Sequence, residues 1–234
     1  MSTVPQRPRR GPRSAIPFLL LIVLTLGSGA TAWLSSRSTQ SHLGPEGVIV
    51  FDVPDLAPAT TTRTGSVVDG ISCQTESKEV VKYHIHSYVV VYVDGQARRL
   101  PAGIGITQPP LIEKSSAGPF YDVGLYDCLY WIHTHVADGI VHVEAPVKQL
   151  FTLGQLFDIW NQPLGPAQVG PAKGRVVVFE NGKQLAGNPR STPILPHSVI
   201  QLDVGNPVVP FHSFTYKVTG ACGQGTTGCS VPKT

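Results

Sequence analysis

The feature that most limits what this chain can fold into is an uncharged apolar stretch near its N-terminus. It runs from Ser14 to Leu34, and the first acidic residue of the chain is Glu46. Four arginines precede it: Arg7, Arg9, Arg10 and Arg13. A bilayer core needs about 20 apolar residues in a helix, and flanking arginines keep their end in the cytoplasm. The sequence therefore predicts a basic cytoplasmic tail (1–13) and a transmembrane signal anchor (14–34).

A cleaved signal peptide is the alternative interpretation of the same stretch. Ile16–Leu26 has the length of the apolar region of a signal peptide, and Ala30-Thr31-Ala32 resembles a cleavage site. Trp33 and Leu34 extend the apolar run beyond that site, which favours an uncleaved anchor. Both interpretations export the remaining residues. We therefore expect a single-pass cell-membrane protein whose C-terminal domain lies outside the cytoplasm, with the membrane contacted through the N-terminal helix.

The net charge of +3 belongs to the N-terminal segment. Residues 1–37 hold five of the 18 basic residues and none of the 15 acidic ones, so 13 basic and 15 acidic residues remain beyond. That remainder has a balance of −2 and offers no basic surface of the kind that binds nucleic acid. We expect no nucleic-acid partner, and the sequence identifies no protein partner.

The composition divides the exported part into three segments. Residues 35–66 are rich in Ser, Thr, Pro and Gly, which predicts a linker. Residues 67–219 are long enough for one hydrophobic core and are predicted to form a β-rich domain. Residues 220–234 form a Gly/Thr-rich tail.

The four cysteines lie in the exported part, where disulfides are expected. Cys222 and Cys229 are close neighbours in the tail, so we expect them to close a small loop. Cys73 would then pair with Cys128. Neither pair has the Cys-x-x-Cys spacing of a thiol–disulfide oxidoreductase.

Most of the domain has the two-residue periodicity of β-strands. Strands are predicted in the following segments: 48–53, 83–93, 98–106, 129–136, 140–145, 175–180, 198–204 and 213–218. Residues 107–127 are predicted to be irregular because they are rich in Pro and Gly. One helix is predicted, with Thr152 as its N-cap, an apolar face that includes Leu156 and Phe157, and Pro163 and Gly165 as stop signals.

The order hairpin, helix, strand, turn, strand resembles the β-grasp fold of ubiquitin and the small sulfur carriers. The resemblance covers about Leu129 to Gly205, and Thr152-Leu153-Gly154-Gln155-Leu156-Phe157 resembles the start of the helix in that fold. The chain lacks the terminal Gly-Gly of the sulfur carriers, so carrier chemistry is not implied. The sequence is also similar to uncharacterised exported, membrane-anchored prokaryotic proteins that pair a His-x-His strand with a β-grasp-like half. The expected fold is mainly β (α+β), with a β-grasp-like sheet, one packed helix and an extra β-hairpin before it.

Histidines are concentrated in three short segments of predicted strand. These segments contain His84 and His86, His133 and His135, and His142 with Glu144. Alternate residues of a strand share a face, so the two members of each pair point the same way, about 7 Å apart. Any one His-x-His pair is ordinarily incidental, but the repetition of the pattern favours a common role.

A two-residue turn at Asp138-Gly139 predicts how two of these segments meet. It places His135 opposite His142 and His133 opposite Glu144, with directly opposed Cβ atoms about 5 Å apart. The opposite face carries apolar residues such as Ile132 and Val143, which suits packing against the helix. His84 and His86 would join the cluster if their strand lies beside this hairpin.

Imidazole and carboxylate groups in this number are ligands for a divalent transition metal ion, copper or zinc. Three functional hypotheses follow. The favoured one is a metal-binding module. A metal-free interaction domain with pH-responsive histidines is the second. A cupin-like metalloenzyme is the third, because the ligands are expected on an exposed face and Glu144 is the only nearby acid or base.

No Gly-x-Ser-x-Gly nucleophile motif or phosphate-binding loop is present. His42, His197 and His212 are expected to be isolated, and Asp122 and Asp127 are expected either to support the cluster or to be plain loop acids.

Overall fold

The computed structural model describes residues 41–43, 49–115, 118–124, 126–214 and 216. The predicted anchor (14–34) and the predicted Cys222–Cys229 pair lie outside these residues. In the part of the chain that is described, no helix is both long enough and apolar enough to cross a membrane.

A central sheet of seven strands dominates the domain. The strands are β1 (Tyr83–Val93), β2 (Gln96–Arg98), β3 (Ile132–His133), β4 (Ile140–Ala145), β5 (Val176–Glu180), β6 (Lys183–Leu185) and β7 (Val199–Val204). Their order is β6-β5-β7-β1-β4-β3, and β2 pairs with β1. β7 runs parallel to β1, and all the other pairs are antiparallel.

The predicted fold class, mainly β with a β-grasp-like sheet and one packed helix, is confirmed. The strand that lies parallel to the last strand is β1, which lies N-terminal to the segment from about Leu129 to Gly205 that resembles the β-grasp fold in sequence. β1 is the longest strand, at 11 residues, and its Val89 and Val91 are buried. A strand with such a continuous apolar run suits the middle of a sheet that is covered on both faces.

The single α-helix of the described residues, α1 (Leu153–Ile159), begins where the sequence predicts. The Thr152 hydroxyl accepts a hydrogen bond from the Gln155 backbone N–H (3.4 Å), and the Thr152 N–H donates to the Gln155 side chain (3.0 Å). This reciprocal capping box stabilises the N-terminus. The helix buries Leu156 and Phe157 in the same core as the apolar face of β3 and β4. That predicted packing is confirmed.

Short strand pairs surround the central sheet. They are Ser41–Leu43 with Ile49–Phe51, Cys73–Gln74 with Leu129–Tyr130, Leu111–Ser115 with Gly118–Asp122, Phe151–Thr152 with Pro193–Ile194, and a three-stranded group of Leu164–Gly165, Gln168–Val169 and Ala172–Lys173. Short 3-10 helices are found at Ala59–Thr61, Glu76–Lys78 and Pro189–Ser191.

Three local predictions are wrong. Residues 107–127 are not irregular throughout, since Leu111–Ser115 and Gly118–Asp122 form a hairpin, named here the cover hairpin. The predicted strand 98–106 ends at Arg98, because the backbone of Gly103 and Ile104 bonds to Thr134 instead of continuing along β1. The described residues of segment 213–218 form no strand.

A disulfide and part of the predicted linker complete the domain. Cys73 and Cys128 are bonded, as predicted, and the bond links the strand Cys73–Gln74 to the residue just before its partner strand Leu129–Tyr130. Leu56 and Ala57, within the segment assigned to the linker by composition, are buried in the main core. The folded part of the chain therefore extends N-terminal to residue 67.

Candidate metal centre

Three histidines form a row across three adjacent strands. His142 on β4 is paired with His86 on β1 at one side and with His133 on β3 at the other. Neighbouring strands lie about 4.8 Å apart, so three imidazoles on one face are forced into contact. The ring centroid of His142 lies 4.3 Å from that of His86 and 5.5 Å from that of His133.

The predicted register of the β3–β4 hairpin is wrong by two residues. His133 pairs with His142, not with Glu144, and His135 lies beyond the end of β3. The cause is Thr134, whose backbone N–H bonds to Ile104 O (3.0 Å) and whose hydroxyl bonds to Pro101 O (2.8 Å). Because side chains alternate with a period of two, a two-residue shift keeps the same residues on the same face. The cluster therefore survives the change.

His84 and His86 lie in the cluster, because β1 is the strand beside β4. His84 is paired with Glu144 in the sheet register, and its Nε2 lies 3.0 Å from Glu144 Oε1. The Nε2 atoms of His84 and His86 are 2.7 Å apart. All six candidate ligands predicted from the sequence are thus brought to one place.

The second pair, His133 and His135, has its ring orientation set by the backbone. His133 Nδ1–H donates to Tyr130 O (2.8 Å), and His135 Nδ1–H donates to Tyr121 O (2.6 Å). A carbonyl oxygen only accepts, so in each neutral ring the lone pair is on Nε2. The two Nε2 atoms face each other at 3.0 Å. Metal-bound histidines commonly donate their other ring N–H to a backbone carbonyl in this way.

The expectation that these side chains lie on an exposed face is wrong. His133 is fully buried, His86 and His135 are nearly so, and the side chains of His84 and Glu144 are only 12% and 16% exposed. The cover hairpin encloses the His135 end of this face. It supplies Tyr121 O to His135, and the Phe120 ring stacks on the His135 ring at a centroid distance of 4.4 Å.

Burial keeps two of the histidines neutral. Desolvation, reinforced by the nearby His135, lowers the pKa of His133 to about 3. Desolvation and four neighbouring histidines, His86 foremost, hold the pKa of His142 well below its ordinary value. His142 Nδ1 is buried and has no hydrogen-bond partner. Neutral imidazoles with free lone pairs are the form that binds a metal ion.

A carboxyl group that sequence patterns do not reveal adjoins the cluster. Glu79, just before β1, is hydrogen-bonded to Glu144, and its pKa is raised to about 7 by burial and by the charges of Glu144 and Asp122. For Glu144, burial is outweighed by its hydrogen bond to His84 and by the other histidines, so its pKa is lowered. No periodic or spacing signal marks Glu79, since it lies outside any strand.

Two overlapping sets of these residues could hold a metal ion. The first is His133, His135, His142 and Glu144, and the second is His84, His86 and His142. Within each set, the ligand atoms lie within 4.8 Å of one another. Zinc with nitrogen ligands at about 2.0–2.1 Å in a tetrahedron needs ligand atoms about 3.3 Å apart. Each ligand atom would therefore have to move by at most about 1 Å, through a side-chain rotation, to reach the geometry of a zinc site.

The other candidate residues belong to neither set, although the His197 backbone N–H donates to His86 O (2.7 Å). His197 contacts Tyr216 and His212 stacks on Tyr92, as expected of isolated histidines. His42 lies in the strand Ser41–Leu43, and Asp127 belongs to neither metal-binding set. Asp122 acts on the cluster only through the pKa of Glu79.

An open pocket of about 530 Å³ lies beside the cover hairpin. Its lining includes Asp55, Arg99, Tyr121 and Val136, and none of the six candidate ligands. It adjoins the cluster region through Ile112, Pro119 and Tyr121 of the cover hairpin and through Val136, the residue after His135.

Acidification is expected to destabilise the metal-free protein. Above pH 6.5, the ordinary pKa of histidine, His133 is neutral in both the folded and the unfolded state, so its titration does not change the stability. Between pH 6.5 and about 3 the unfolded state binds the extra proton, so stability falls as the pH falls, by about 2 kcal/mol at pH 5 for His133 alone. His142 acts in the same direction.

Urea unfolding of chelator-treated protein at pH 7 and pH 5 measures this loss. The variant His133→Gln lacks the titrating group, so its loss over the same range should be smaller by about 2 kcal/mol. Equal losses for the two proteins would contradict the assignment of this effect to His133.

Comparison of the chain with protein-family models, with curated proteins and with solved structures found no match. Functional inference therefore rests on the geometry of the cluster.

Proposed function

We propose that this protein is a membrane-tethered, extracytoplasmic module that binds a transition metal ion, zinc or Cu(II), through His133, His135, His142 and Glu144. The observation that carries the proposal is the pair of Nε2 atoms of His133 and His135, which face each other at 3.0 Å while both Nδ1–H groups are bound to backbone carbonyls.

Two lone pairs at this distance repel each other unless a cation lies between them. In a solvent-exposed pair of histidines, a proton bound to one Nε2 atom would be that cation. Here His133 is fully buried and its pKa is lowered to about 3, so the imidazolium form of His133 is disfavoured near neutral pH. A metal ion satisfies both lone pairs and is compensated by the Glu144 carboxylate, whose Oε2 lies 4.0 Å from His133 Nε2.

The donor atoms favour zinc or Cu(II) over other ions. Imidazole nitrogen suits zinc and copper, whereas magnesium and calcium prefer oxygen. Cu(I) prefers thiolate and thioether ligands. Both cysteines of the described residues are bonded to each other, and the one methionine of the chain is Met1.

The Cys73–Cys128 disulfide supports the proposed location, because disulfides persist in exported domains and are rare in the cytosol. The uncharged stretch 14–34 supports the membrane tether. A binding module is favoured over an enzyme because none of the candidate ligands lines the 530 Å³ pocket. It is favoured over a metal-free interaction surface because the central histidines are buried.

Metal titration tests the proposal. The full chain, purified in mild detergent and stripped with a chelator, should bind zinc or Cu(II) tightly when followed by calorimetry and elemental analysis. Magnesium and calcium serve as controls and should not bind. Protein that retains neither zinc nor copper after gel filtration would refute the proposed function.

A further inference from the structure

The cluster contains two similar half-sites on opposite sides of β4. On one side, the Nε2 atoms of His133 and His135 are 3.0 Å apart, and on the other those of His84 and His86 are 2.7 Å apart. Each pair comes from a His-x-His segment on a different strand, β1 or the end of β3. The two potential metal-binding sets share only His142, on the strand between them.

Glu144 presents one oxygen to each half-site. Its Oε1 lies 3.0 Å from His84 Nε2, and its Oε2 lies 4.0 Å from His133 Nε2. A carboxylate that offers its two oxygens to two different sets of ligands has the geometry of a bridge between two metal ions. In sites with two metal ions, the ions are about 3.5–4 Å apart.

We infer that the cluster is a dinuclear metal centre: His133 and His135 bind one ion, His84 and His86 bind a second, and the Glu144 carboxylate bridges the two. The inference rests on the proposed function and extends it from one ion to two. His142 lies between the pairs and completes the shell of one ion.

A single ion would use only some of the donor groups that are present. Zinc takes four protein ligands in a closed site and three in an open one, whereas five imidazoles and Glu144 converge here. His84 and His86 belong to one set of potential ligands and His133 and His135 to the other, so a single ion leaves one of the two pairs unused.

The charge of the region also suits two ions. Glu79 is hydrogen-bonded to Glu144, and Asp122 acts on Glu79. Two divalent ions would place four positive charges in a buried site, and the Glu144 carboxylate, with Glu79 and Asp122 near it, offsets part of that charge. Buried charge without such compensation is strongly unfavourable.

Metal stoichiometry provides the first test. The chelator-stripped full chain is titrated with zinc alone, and bound zinc per chain is measured by elemental analysis after gel filtration. The wild type should bind two ions, and the double variants His84→Ala/His86→Ala and His133→Ala/His135→Ala should each bind one. The control His212→Ala changes an isolated histidine and should bind two.

Electron paramagnetic resonance of the Cu(II)-loaded chain provides the second test. Two Cu(II) ions about 4 Å apart couple magnetically, so the wild type should show less visible spin than copper bound, or a half-field line. Each double variant should show the full, uncoupled signal of one Cu(II). Glu144→Gln should weaken the magnetic coupling while copper stays bound, whereas a general loss of fold would release the copper as well. Circular dichroism of every variant reports the fold.

The outcomes separate this inference from the proposed function. One ion per chain in the wild type, with uncoupled Cu(II), would overturn the dinuclear centre and leave the binding module intact. Two ions retained in the His84→Ala/His86→Ala variant would also overturn it. No bound ion in the wild type would overturn both.

Discussion

Replacement of His133 with alanine is expected to weaken zinc binding at its position by about 100-fold. Structural zinc sites with four protein ligands bind with roughly 10–16 kcal/mol, which is about 3 kcal/mol per ligand, or about 100-fold in affinity. The His133 ring has a fixed orientation, because its Nδ1–H is bound to Tyr130 O and its ring is fully buried. The ring is therefore held in place before the ion arrives.

Competition with a zinc chelator of known affinity measures the change. His212→Ala is the matched control, since it also removes an imidazole from the domain but changes no group in the cluster, and its affinity should equal that of the wild type. An unchanged affinity of folded His133→Ala protein would remove His133 from the ligand set and would invalidate the proposed site.

Removal of the Cys73–Cys128 disulfide by the double substitution Cys73→Ser/Cys128→Ser is expected to cost about 4 kcal/mol of folding free energy. The bond closes a loop with a sequence separation of 55 residues, and the chain-entropy estimate for a loop of this length gives that value. The loss is large for a domain of this size, whose total stability is about 5–15 kcal/mol. The substitution also loosens Tyr130, two residues from Cys128, whose carbonyl orients His133.

Urea unfolding under oxidising conditions tests this prediction, with the variant Cys222→Ser/Cys229→Ser as the control. The control removes the same number of cysteines, and a bond between them would close a much shorter loop, so its cost should be smaller. If the two variants lose the same stability, or if the first loses less than about 1 kcal/mol, the assigned role of the disulfide is wrong.

The face on which the histidines lie could be predicted from sequence, and their exact pairing could not. The period of two places His133, His135, His142 and Glu144 on one side of two strands. Thr134 then decides the register by bonding to Ile104 and Pro101, which are 30 and 33 residues earlier. Local turn signals at Asp138-Gly139 contain no information about that contact.

Burial of the cluster was also beyond the reach of sequence patterns. A polar face of a strand ordinarily lies in solvent, and the expectation of exposure followed from that rule. The cover hairpin reverses it by stacking Phe120 on His135 and by offering Tyr121 O to the ring. The longer segment that contains it, residues 107–127, is rich in Pro and Gly, and that composition predicts irregular structure and not a hairpin.

The amino-acid sequence by itself determined the elements and the chemistry of this protein: the apolar stretch 14–34, the strands with two-residue periodicity, the capped helix at Thr152, and the histidine pairs on shared faces. These properties depend on residues within a few positions of each other. Tertiary structure alone decided that β1 lies beside β4, so that His84 and His86 meet His133 and His135, and that Glu79 joins Glu144. Such contacts join residues far apart in the chain, and they depend on which packing of the whole sheet buries the most apolar surface.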